Sequence, residues 1–287
     1  MSDRVLVVGA SGTMGREVVR ELKHRSVWVR GTSREASRVP PEADEAVTAN
    51  LLDPASLRSA CEGVDAVILA AGASISSLAP RIDKRGFRGV DTVGARYVTE
   101  AAAEAGVGRA VYVSVAGPPE MARLGYVAAH REAEEAVRES GITTAIVRPT
   151  GFFAAFTAYL PLARLGVMPV LGREVTTNPI HEADLAVVVV DALEGGEGIT
   201  EAGGPEVLSR EAIARLAFEA VGKKARFVSV PPGLARFNAG LVGAVDQRLK
   251  EVIRFVAAIH EHDIVAPPHG SRRLGPYLEA VARGGRV

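Results

Sequence analysis

The stretch Val5–Leu22, VLVVGASGTMGREVVREL, joins an apolar run to a helical pattern through three glycines spaced three residues apart. Gly9 permits a sharp turn after the strand, and Gly12 lets backbone N–H groups approach a ligand closely. Gly15 lets the helix pack against the strand. Because the N-terminus of the helix, with its partial positive charge, faces this turn, the stretch predicts a binding site for the pyrophosphate of a dinucleotide.

Apolar runs and helical patterns alternate from this stretch to Pro149. Continuous apolar strands separated by helices are typical of a parallel sheet covered on both faces. We therefore predict an α/β fold, a Rossmann-type doubly wound parallel sheet, over residues 1–150. The looser pattern of residues 151–287 predicts a smaller, mainly helical substrate lobe, interleaved with the first domain. The predicted strands of the first domain are Val5–Val8, Val27–Thr32, Asp65–Ala71, Ala110–Val115 and Thr143–Val147.

The predicted helices follow the 3.6-residue period of their apolar positions. In the first domain they are Thr13–His24, Pro54–Cys61, Phe87–Ala105 and Val127–Ser140. In the lobe they are Glu182–Leu193, Ser209–Val221 and a long helix over residues 234–262, with a strand over residues 226–230.

The composition disfavours several functional classes. The 34 basic and 34 acidic residues balance, so no overall field attracts nucleic acid or an anionic membrane. A single cysteine, Cys61, excludes an intramolecular disulfide framework and suits a reducing compartment. With no signal-peptide pattern and no apolar run of about 20 residues, we expect a cytoplasmic protein without a membrane span. The histidines near the C-terminus lack the cysteine or carboxylate partners of a metal site, so we expect no metal.

The spacing GxxGxxG resembles that of the extended and atypical short-chain dehydrogenase/reductases. Residues 48–72, TANLLDPASLRSACEGVDAVILAAG, are similar to a segment of that family. Residues 133–153, AEEAVRESGITTAIVRPTGFF, and residues 178–186, NPIHEADLA, resemble its NmrA-like branch. The resemblance implies the doubly wound fold and NAD(P) binding, but it does not specify a reaction.

The resemblance also implies which residues line the cofactor. Asn50 stands where an adenine-facing aspartate is usual, and it is followed by Leu51. The ends of later strands are expected to contact the ribose, pyrophosphate and nicotinamide. The expected cofactor-binding residues outside the second strand are Gly9, Ser11, Gly12, Thr13, Met14, Gly15, Asn50, Leu51, Ala70, Ala71, Gly72, Pro149 and Thr150.

The end of the second predicted strand indicates which nicotinamide cofactor is preferred. An NAD enzyme uses an acidic residue there for the ribose hydroxyls, whereas an NADP enzyme uses groups that bind the 2′-phosphate. Here Thr32, Ser33 and Arg34 occupy that position, and the first carboxylate is Glu35. Since a guanidinium both pairs with phosphate and stacks on adenine, the sequence favours NADP over NAD. The alternative is that Arg34 is an ordinary arginine on an exposed loop.

Tyr126 and His130 lie four residues apart, on one face of a predicted helix. By the resemblance, they match a Tyr-x-x-x-Lys pair in which the lysine holds the nicotinamide ribose and lowers the pKa of the tyrosine. Histidine is shorter and only partly charged at neutral pH, so it supports a tyrosinate less well. Ser114 is the candidate for the family's catalytic hydroxyl, although Val115 aligns with that position. The alternative is that Tyr126 and His130 are simply exposed residues at the start of a helix.

In the predicted lobe, three side chains are candidates for substrate contact: Phe152, Phe153 and His181. The aromatic residues of residues 151–171 recur at helical spacing, which suits either the core of the lobe or the wall of an apolar pocket. For His181, the alternative is a structural or exposed histidine.

Two functions from different classes fit these observations. The first is an NADP-dependent oxidoreductase acting on a small apolar or aromatic molecule, with Tyr126 moving the proton. The second is a non-catalytic sensor of the NAD(P) redox state that regulates a partner protein, and the changed Tyr–Lys pair favours it. An epimerase or isomerase that uses the cofactor transiently also stays open, and a homodimer is compatible with each.

Overall fold

A computed structural model describes residues 3–72, 86–229 and 247–285 of the chain. Contacts divide the chain into two compact units, each built from several segments. Unit 1 comprises residues 1–115, 125–148 and 185–200, and unit 2 comprises residues 116–124, 149–184 and 201–287. Over the three described ranges, no helix has the length and apolar character that crossing a membrane requires.

A seven-stranded sheet contains the predicted strands in the order β3-β2-β1-β4-β5-β6-β9. The five strand pairs from β3 to β6 are all parallel. This order is that of a doubly wound Rossmann-type fold, so the predicted fold class is confirmed. The strands are β1 (Arg4–Val8), β2 (Trp28–Ser33), β3 (Glu45–Thr48), β4 (Ala66–Leu69), β5 (Arg109–Val113), β6 (Thr143–Pro149) and β9 (Gly198–Ala202).

The sequence analysis missed the two edge strands of this sheet, β3 and β9. β3 is four residues long and β9 is mostly exposed, so neither shows the continuous apolar run of a central strand. Edge strands are covered on fewer sides, and short, polar edges are common in natural sheets.

The helices connect the strands much as predicted. They are α1 (Thr13–His24), α2 (Pro54–Cys61), α3 (Val93–Glu104), α4 (Gly125–Arg138), α5 (Phe153–Phe156), α6 (Tyr159–Leu165), α7 (Glu182–Asp191), α8 (Arg210–Ala220), α9 (Gln247–Ala258) and α10 (Leu274–Ala282). One difference is that the predicted helix over residues 87–105 begins with a π-helical segment, Arg88–Thr92, in which Asp91 is buried. Such wider turns often occur at functional sites. Residues 234–246 of the predicted long helix and residue 230 at the end of the predicted strand lie outside the described residues.

Short strand pairs join parts of unit 2. β8 (Thr176–Thr177) pairs with β10 (Leu208–Ser209), and β7 (Met168–Val170) pairs with β11 (Phe227–Ser229). Apolar side chains from α5, α6, β7, α8 and α10 form the core of this unit, with Phe153 and Phe218 among its largest members. Unit 1 has its own core around the sheet, on which α2, α3 and α4 pack.

Candidate active site and cofactor-binding turn

The glycine-rich turn has the geometry that its sequence predicts. Gly9 adopts a positive φ of 87°, which disfavours any side chain. A Cβ atom on Gly9 would lie 2.7 Å from the Cβ of Ala71, so the turn and the end of β4 are in close contact. A Cβ atom on Gly15 would clash with the carbonyl oxygen of Gly9. The backbone at Gly9 and Gly15 therefore leaves no space for larger residues.

The N-terminus of α1 is open to an anion. Gly12 is its N-cap, with no side chain to cap the helix, and the first turn contains no acidic residue. The uncapped N–H groups and the helix dipole together favour a phosphate at this position. Thr13 is exposed and Met14 is buried beneath the turn. These observations fit the pyrophosphate of a dinucleotide.

The end of β2 is tied directly to this turn, because the Ser33 hydroxyl donates a hydrogen bond to the Ser11 hydroxyl over 3.0 Å. Thr32 and Ser33 are buried, whereas Arg34 is exposed. The structure shows no hydrogen bond or ion pair between Arg34 and any described residue. Glu35, the nearest carboxylate, pairs with Arg38 over 2.9 Å.

The other predicted cofactor-binding residues of unit 1 lie at the carboxyl end of the sheet. Ala70 donates its N–H to Val8, and a Cβ atom on Gly72 would lie 2.7 Å from Oδ1 of Asp91. The Oδ1 of Asn50 accepts the N–H of Leu52, which holds the loop after β3 in a turn. Leu51 packs against Gly94 at the start of α3. The tertiary structure thus brings Gly9, Ala71 and Gly72 together with Asp91.

Pro149 and Thr150 belong to unit 2. β6 ends at Pro149, and the hydroxyl of Thr150 donates to the carbonyl oxygen of Asn178 over 2.6 Å. Both residues are buried. Their predicted contact with nicotinamide stays a prediction.

Tyr126 and His130 do lie together on α4, with their ring centroids 4.7 Å apart and nearly perpendicular. The interpretation of both as exposed residues is wrong, since His130 is 6% exposed and Tyr126 is half-buried. The ring of Phe87 also packs edge to face with Tyr126, with the centroids 5.1 Å apart. Nδ1 of His130 is 2.6 Å from the hydroxyl of Tyr112, a buried residue of β5.

The electrostatics of this pair differ from those of a tyrosine beside a lysine. Burial lowers the pKa of His130 to about 4, although Glu134 works in the opposite direction. The imidazole is therefore neutral at neutral pH, and the expectation of a partly charged ring is corrected. Burial raises the pKa of Tyr126 well above its ordinary value, and the charge of Asp91 adds to this shift. Tyr126 is thus a neutral phenol.

Ser114 belongs to a separate group of hydrogen bonds and ion pairs around the carboxylate of Glu134. Its buried hydroxyl donates to Oε1 of Glu134 over 2.5 Å. Arg148 and Arg131 also pair with this carboxylate, and Arg131 donates to the carbonyl oxygen of Val115 as well. Burial alone would raise the pKa of Glu134, but hydrogen bonds from Arg148 and Ser114 and the charge of Arg131 outweigh it and lower the pKa. The structure therefore places Ser114 in a buried ion cluster.

Sequence reasoning missed Tyr112, Asp91 and Glu134. Tyr112 lies in an apolar run that predicts only a core strand, and Asp91 lies in a stretch that predicts a plain helix. The spacing of Arg131 and Glu134 on one helix face was a usable signal for an ion pair. Nothing local indicated that Arg148 would complete the cluster.

Of the predicted substrate residues in unit 2, Phe153 is a core residue and is 1% exposed. Phe152 and His181 are half-buried. The rings of Phe153, His181 and Tyr277 pack edge to face, with centroids 5.4–5.5 Å apart. Nδ1 of His181 accepts the N–H of Ala183 and so caps the start of α7. Burial lowers the pKa of His181, and the charge of Arg272 adds to this.

Comparison with known proteins assigns the family. A model of an NAD(P)H-binding family matches residues 9–195, well over half of the chain. The chain belongs to this NAD(P)H-binding family. The family range begins at the glycine turn and extends past α7, so it includes every candidate residue discussed above. NAD(P)(H) binding is therefore a property of the family to which this site belongs.

Two relatives of this chain have different functions. A (4-alkanoyl-5-oxo-2,5-dihydrofuran-3-yl)methyl phosphate reductase of Streptomyces griseus subsp. griseus is 30% identical over 81% of this chain and 79% of its own length. The photosystem II assembly factor Ycf39 of Synechocystis sp. is 27% identical over 82% of this chain and 72% of its own.

A solved structure has the same fold. The NADPH-dependent quinone oxidoreductase QOR2 of Escherichia coli, complexed with NADPH, matches with a TM-score of 0.72. The match covers 96% of this chain and 99% of that one, at 19% identity.

In the part of the chain that the structure describes, no three His, Cys, Asp or Glu side chains are grouped as metal ligands.

Proposed function

We propose that the protein is an NADP(H)-dependent oxidoreductase that reduces a small, apolar or aromatic molecule. The observation that carries this proposal is the end of β2, where Arg34 is exposed and Thr32 and Ser33 adjoin the glycine turn. Glu35, the first carboxylate after β2 in the sequence, is exposed and pairs with Arg38. A cation and hydroxyls at this position suit the 2′-phosphate of NADP(H).

The residues of unit 1 fit the rest of such a cofactor. The glycine turn and the uncapped N-terminus of α1 would hold the pyrophosphate, and Arg34 would pair with the 2′-phosphate. Bound NADPH supplies a hydride at the nicotinamide C4. The proton that a reduction also requires has to come from the protein or from solvent.

Tyr126 is the proposed proton donor. Its pKa is raised by burial and by Asp91, so the phenol keeps its proton at neutral pH. A tyrosine in this state can donate a hydrogen bond or a proton to a developing oxyanion, but it is a poor base. This asymmetry supports reduction over oxidation as the working direction. Phe152 and His181, both half-buried, are the proposed substrate contacts in unit 2.

The test of this chemistry is Tyr126→Phe, assayed by NADPH consumption over quinones, enones and aromatic carbonyl compounds. We expect kcat to fall by about 10²–10⁴-fold, with little change in the KM for NADPH, because general acid catalysis contributes factors of that size. Tyr97→Phe on α3 is the matched control for losing a phenol oxygen. Full activity in Tyr126→Phe would remove Tyr126 from the chemistry.

The cofactor preference is tested with Arg34→Ala. Loss of a charge-assisted contact with phosphate should weaken NADPH binding by about tenfold and leave NADH binding unchanged. Arg58→Ala is a control, since Arg58 is an exposed arginine on α2 that pairs with Glu104 of α3. An unchanged ratio of NADPH to NADH affinity in Arg34→Ala would contradict the role of Arg34.

A second function, a non-catalytic sensor of NAD(P) redox state, is favoured by one observation. Two candidate catalytic groups are in states unsuited to the usual chemistry of short-chain reductases, since the Ser114 hydroxyl is bound to Glu134 and His130 is neutral. The assembly-factor relative supports the same alternative. If no compound in the panel consumes NADPH while calorimetry separates the affinities for NADPH and NADP⁺, the sensor replaces the enzyme.

A further inference from the structure

The hydroxyl of Tyr112 has one hydrogen-bonding partner among the described residues, Nδ1 of His130 at 2.6 Å. Tyr112 is 1% exposed and His130 is 6% exposed. The two rings are tilted against each other, with centroids 5.9 Å apart. A buried phenol needs an acceptor for its hydrogen, and this nitrogen is the acceptor that the structure provides.

The direction of this hydrogen bond fixes the tautomer of the imidazole. If Nδ1 carried the hydrogen, Nδ1 would donate to the phenol oxygen, and the phenol hydrogen would be buried without an acceptor among the described residues. With the phenol as donor, the phenol and Nδ1 satisfy each other, and the hydrogen of the neutral ring lies on Nε2. Nε2 is not among the fully buried polar side-chain atoms that lack a partner in the described part of the chain, so its N–H is left for water or a ligand. The first arrangement leaves a fully buried donor unpaired and the second does not, so the second is favoured.

We propose that Tyr112 is a positioning residue that holds His130 in the Nε2–H tautomer, presenting a neutral donor to the nicotinamide ribose. The ribose contact rests on the proposed function, whereas the tautomer does not. In this arrangement Nε2–H takes the place of the lysine ammonium in a Tyr-x-x-x-Lys pair. Residue 130 would then still donate a hydrogen bond, as the lysine does, but without a positive charge.

The surroundings of His130 support this arrangement. The edge-to-face contact with Tyr126 limits rotation of the imidazole, and the ring of Tyr126 is itself in contact with Phe87. Burial keeps the ring neutral, because it lowers the pKa of His130 to about 4. Of the charged neighbours on α4, Glu134 raises this pKa and Arg131 lowers it. A ring fixed on two sides and uncharged is suited to hold one N–H in one direction.

The tautomer is tested by nitrogen NMR of the ligand-free protein, labelled with ¹⁵N-histidine, with the His130 signals assigned from their loss in His130→Gln. We expect a pyridine-type Nδ1 and a pyrrole-type Nε2, both unchanged from about pH 8 to pH 6. In Tyr112→Phe the Nδ1 resonance should move to the position of a nitrogen without a donor. A pyrrole-type Nδ1 in the wild type would overturn the proposal, and this measurement needs no variant of Tyr112 that folds.

The ribose contact is tested by a double-mutant cycle on NADPH affinity. Tyr112→Phe should weaken binding by about threefold to tenfold in the wild type, the range expected for one hydrogen bond. In a His130→Gln background, where the amide supplies the N–H without help from Tyr112, the same change should cost less than about 1.5-fold. Tyr97→Phe is the control for an unrelated phenol.

Two results would contradict the ribose contact. One is an equal cost of Tyr112→Phe in both backgrounds, which indicates a merely structural role. The other is a His130→Gln affinity no better than that of His130→Ala. If the wild type binds no NADPH at all, the proposed function and the ribose contact fail together, while the nitrogen shifts still report whether Tyr112 holds the tautomer.

Discussion

The glycine-rich turn of residues 9–15 and the first turns of α4 belong to the same compact unit but differ in how their properties are fixed. At the glycine turn, the predicted binding of phosphate depends on backbone N–H groups, and three of the seven residues are glycines without a side chain. The positive φ of Gly9 and the clash of a Cβ atom at Gly15 with the carbonyl oxygen of Gly9 both arise within the turn itself. The local sequence is therefore sufficient to define that site.

On α4 the determinants are side chains whose state is set by distant residues. His130 is neutral because β5 and α4 bury it, and Ser114 is unavailable because Glu134 binds it. Neither fact is encoded in the helix itself. The difference teaches that a site made of backbone groups can be predicted from the local sequence, whereas the state of a site made of side chains depends on how the chain packs around it. The predictions below test each side of this comparison.

The largest effect is expected for the pH dependence of stability that His130 causes. Its pKa is about 4 in the folded chain, compared with 6.5 for the unfolded reference, so the unfolded state binds more protons between these values. The stabilisation is therefore complete above about pH 6.5 and is lost as the pH falls towards 4. The loss amounts to about 3 kcal/mol. Urea unfolding of wild type and His130→Gln from pH 7 to pH 4 measures it.

In this experiment, the free energies of unfolding of wild type and His130→Gln, plotted against pH, should converge at acidic pH. The reason is that the variant lacks the imidazole that becomes protonated on unfolding. The pKa values of His181 and His260 are also lowered by burial. Because both residues are present in both proteins, their contributions to the pH dependence of stability cancel in the comparison. His24→Gln, at an exposed position, is the control. Parallel curves for wild type and His130→Gln would show that His130 is not buried in the neutral form.

A slightly smaller effect is expected from Glu134→Gln, which breaks the ion cluster beside α4. Its carboxylate is buried against Arg131 and Arg148, and removing one charge leaves the guanidinium groups unbalanced. Because both arginines are partly exposed, we expect the free energy of unfolding to fall by about 2–3 kcal/mol at pH 7. Chemical denaturation measures this change, with Glu139→Gln, just after α4, as the control.

The same variant has a pH signature. The pKa of Glu134 is lowered in the folded chain, so its stabilisation is present above the unfolded value of 4.5 and is lost as the pH falls below it. The difference between wild type and Glu134→Gln should therefore shrink in acid. A difference that is constant down to pH 3 would contradict the charged state of Glu134.

On the other side of the comparison, Gly15→Ala should lower the free energy of unfolding by about 2 kcal/mol, since the new Cβ would clash with the carbonyl oxygen of Gly9. Thermal unfolding measures this loss. Gly196→Ala is a matched control, because a Cβ atom there has no neighbour within 4 Å. Equal stabilities of the two variants would show that the turn and α1 are not in close contact.

The smallest expected effect concerns Gly12, where a Cβ atom would lie 3.3 Å from the Gly9 carbonyl oxygen, which is tight but tolerable. We expect Gly12→Ala to fold with nearly wild-type stability and to bind NADPH about tenfold more weakly, since the methyl group obstructs the pyrophosphate. Fluorescence titration measures the affinity. Unchanged affinity would place the pyrophosphate elsewhere.

Particular residues show how far sequence reasoning reached. The glycine turn, the parallel sheet and the Tyr126–His130 pair were predictable, because they depend on spacing along one strand or one helix. The edge strands β3 and β9 were missed, since strand pairing is decided by the neighbouring strand and not by an apolar run. Ser114 was predicted as a candidate catalytic hydroxyl, and its bond to Glu134 joins residues that are 20 positions apart in the sequence.

The sequence by itself determined the phosphate-binding turn, because the steric limits of glycine and the polarity of a helix N-terminus act locally. It also determined the absence of a carboxylate before Glu35 at the end of β2. Only the tertiary structure decided the protonation of His130, the partner of its Nδ1 and the hydrogen bond from Ser114 to Glu134. These depend on desolvation and on groups brought together from β5, α4 and β6, and desolvation is a property of the packed chain.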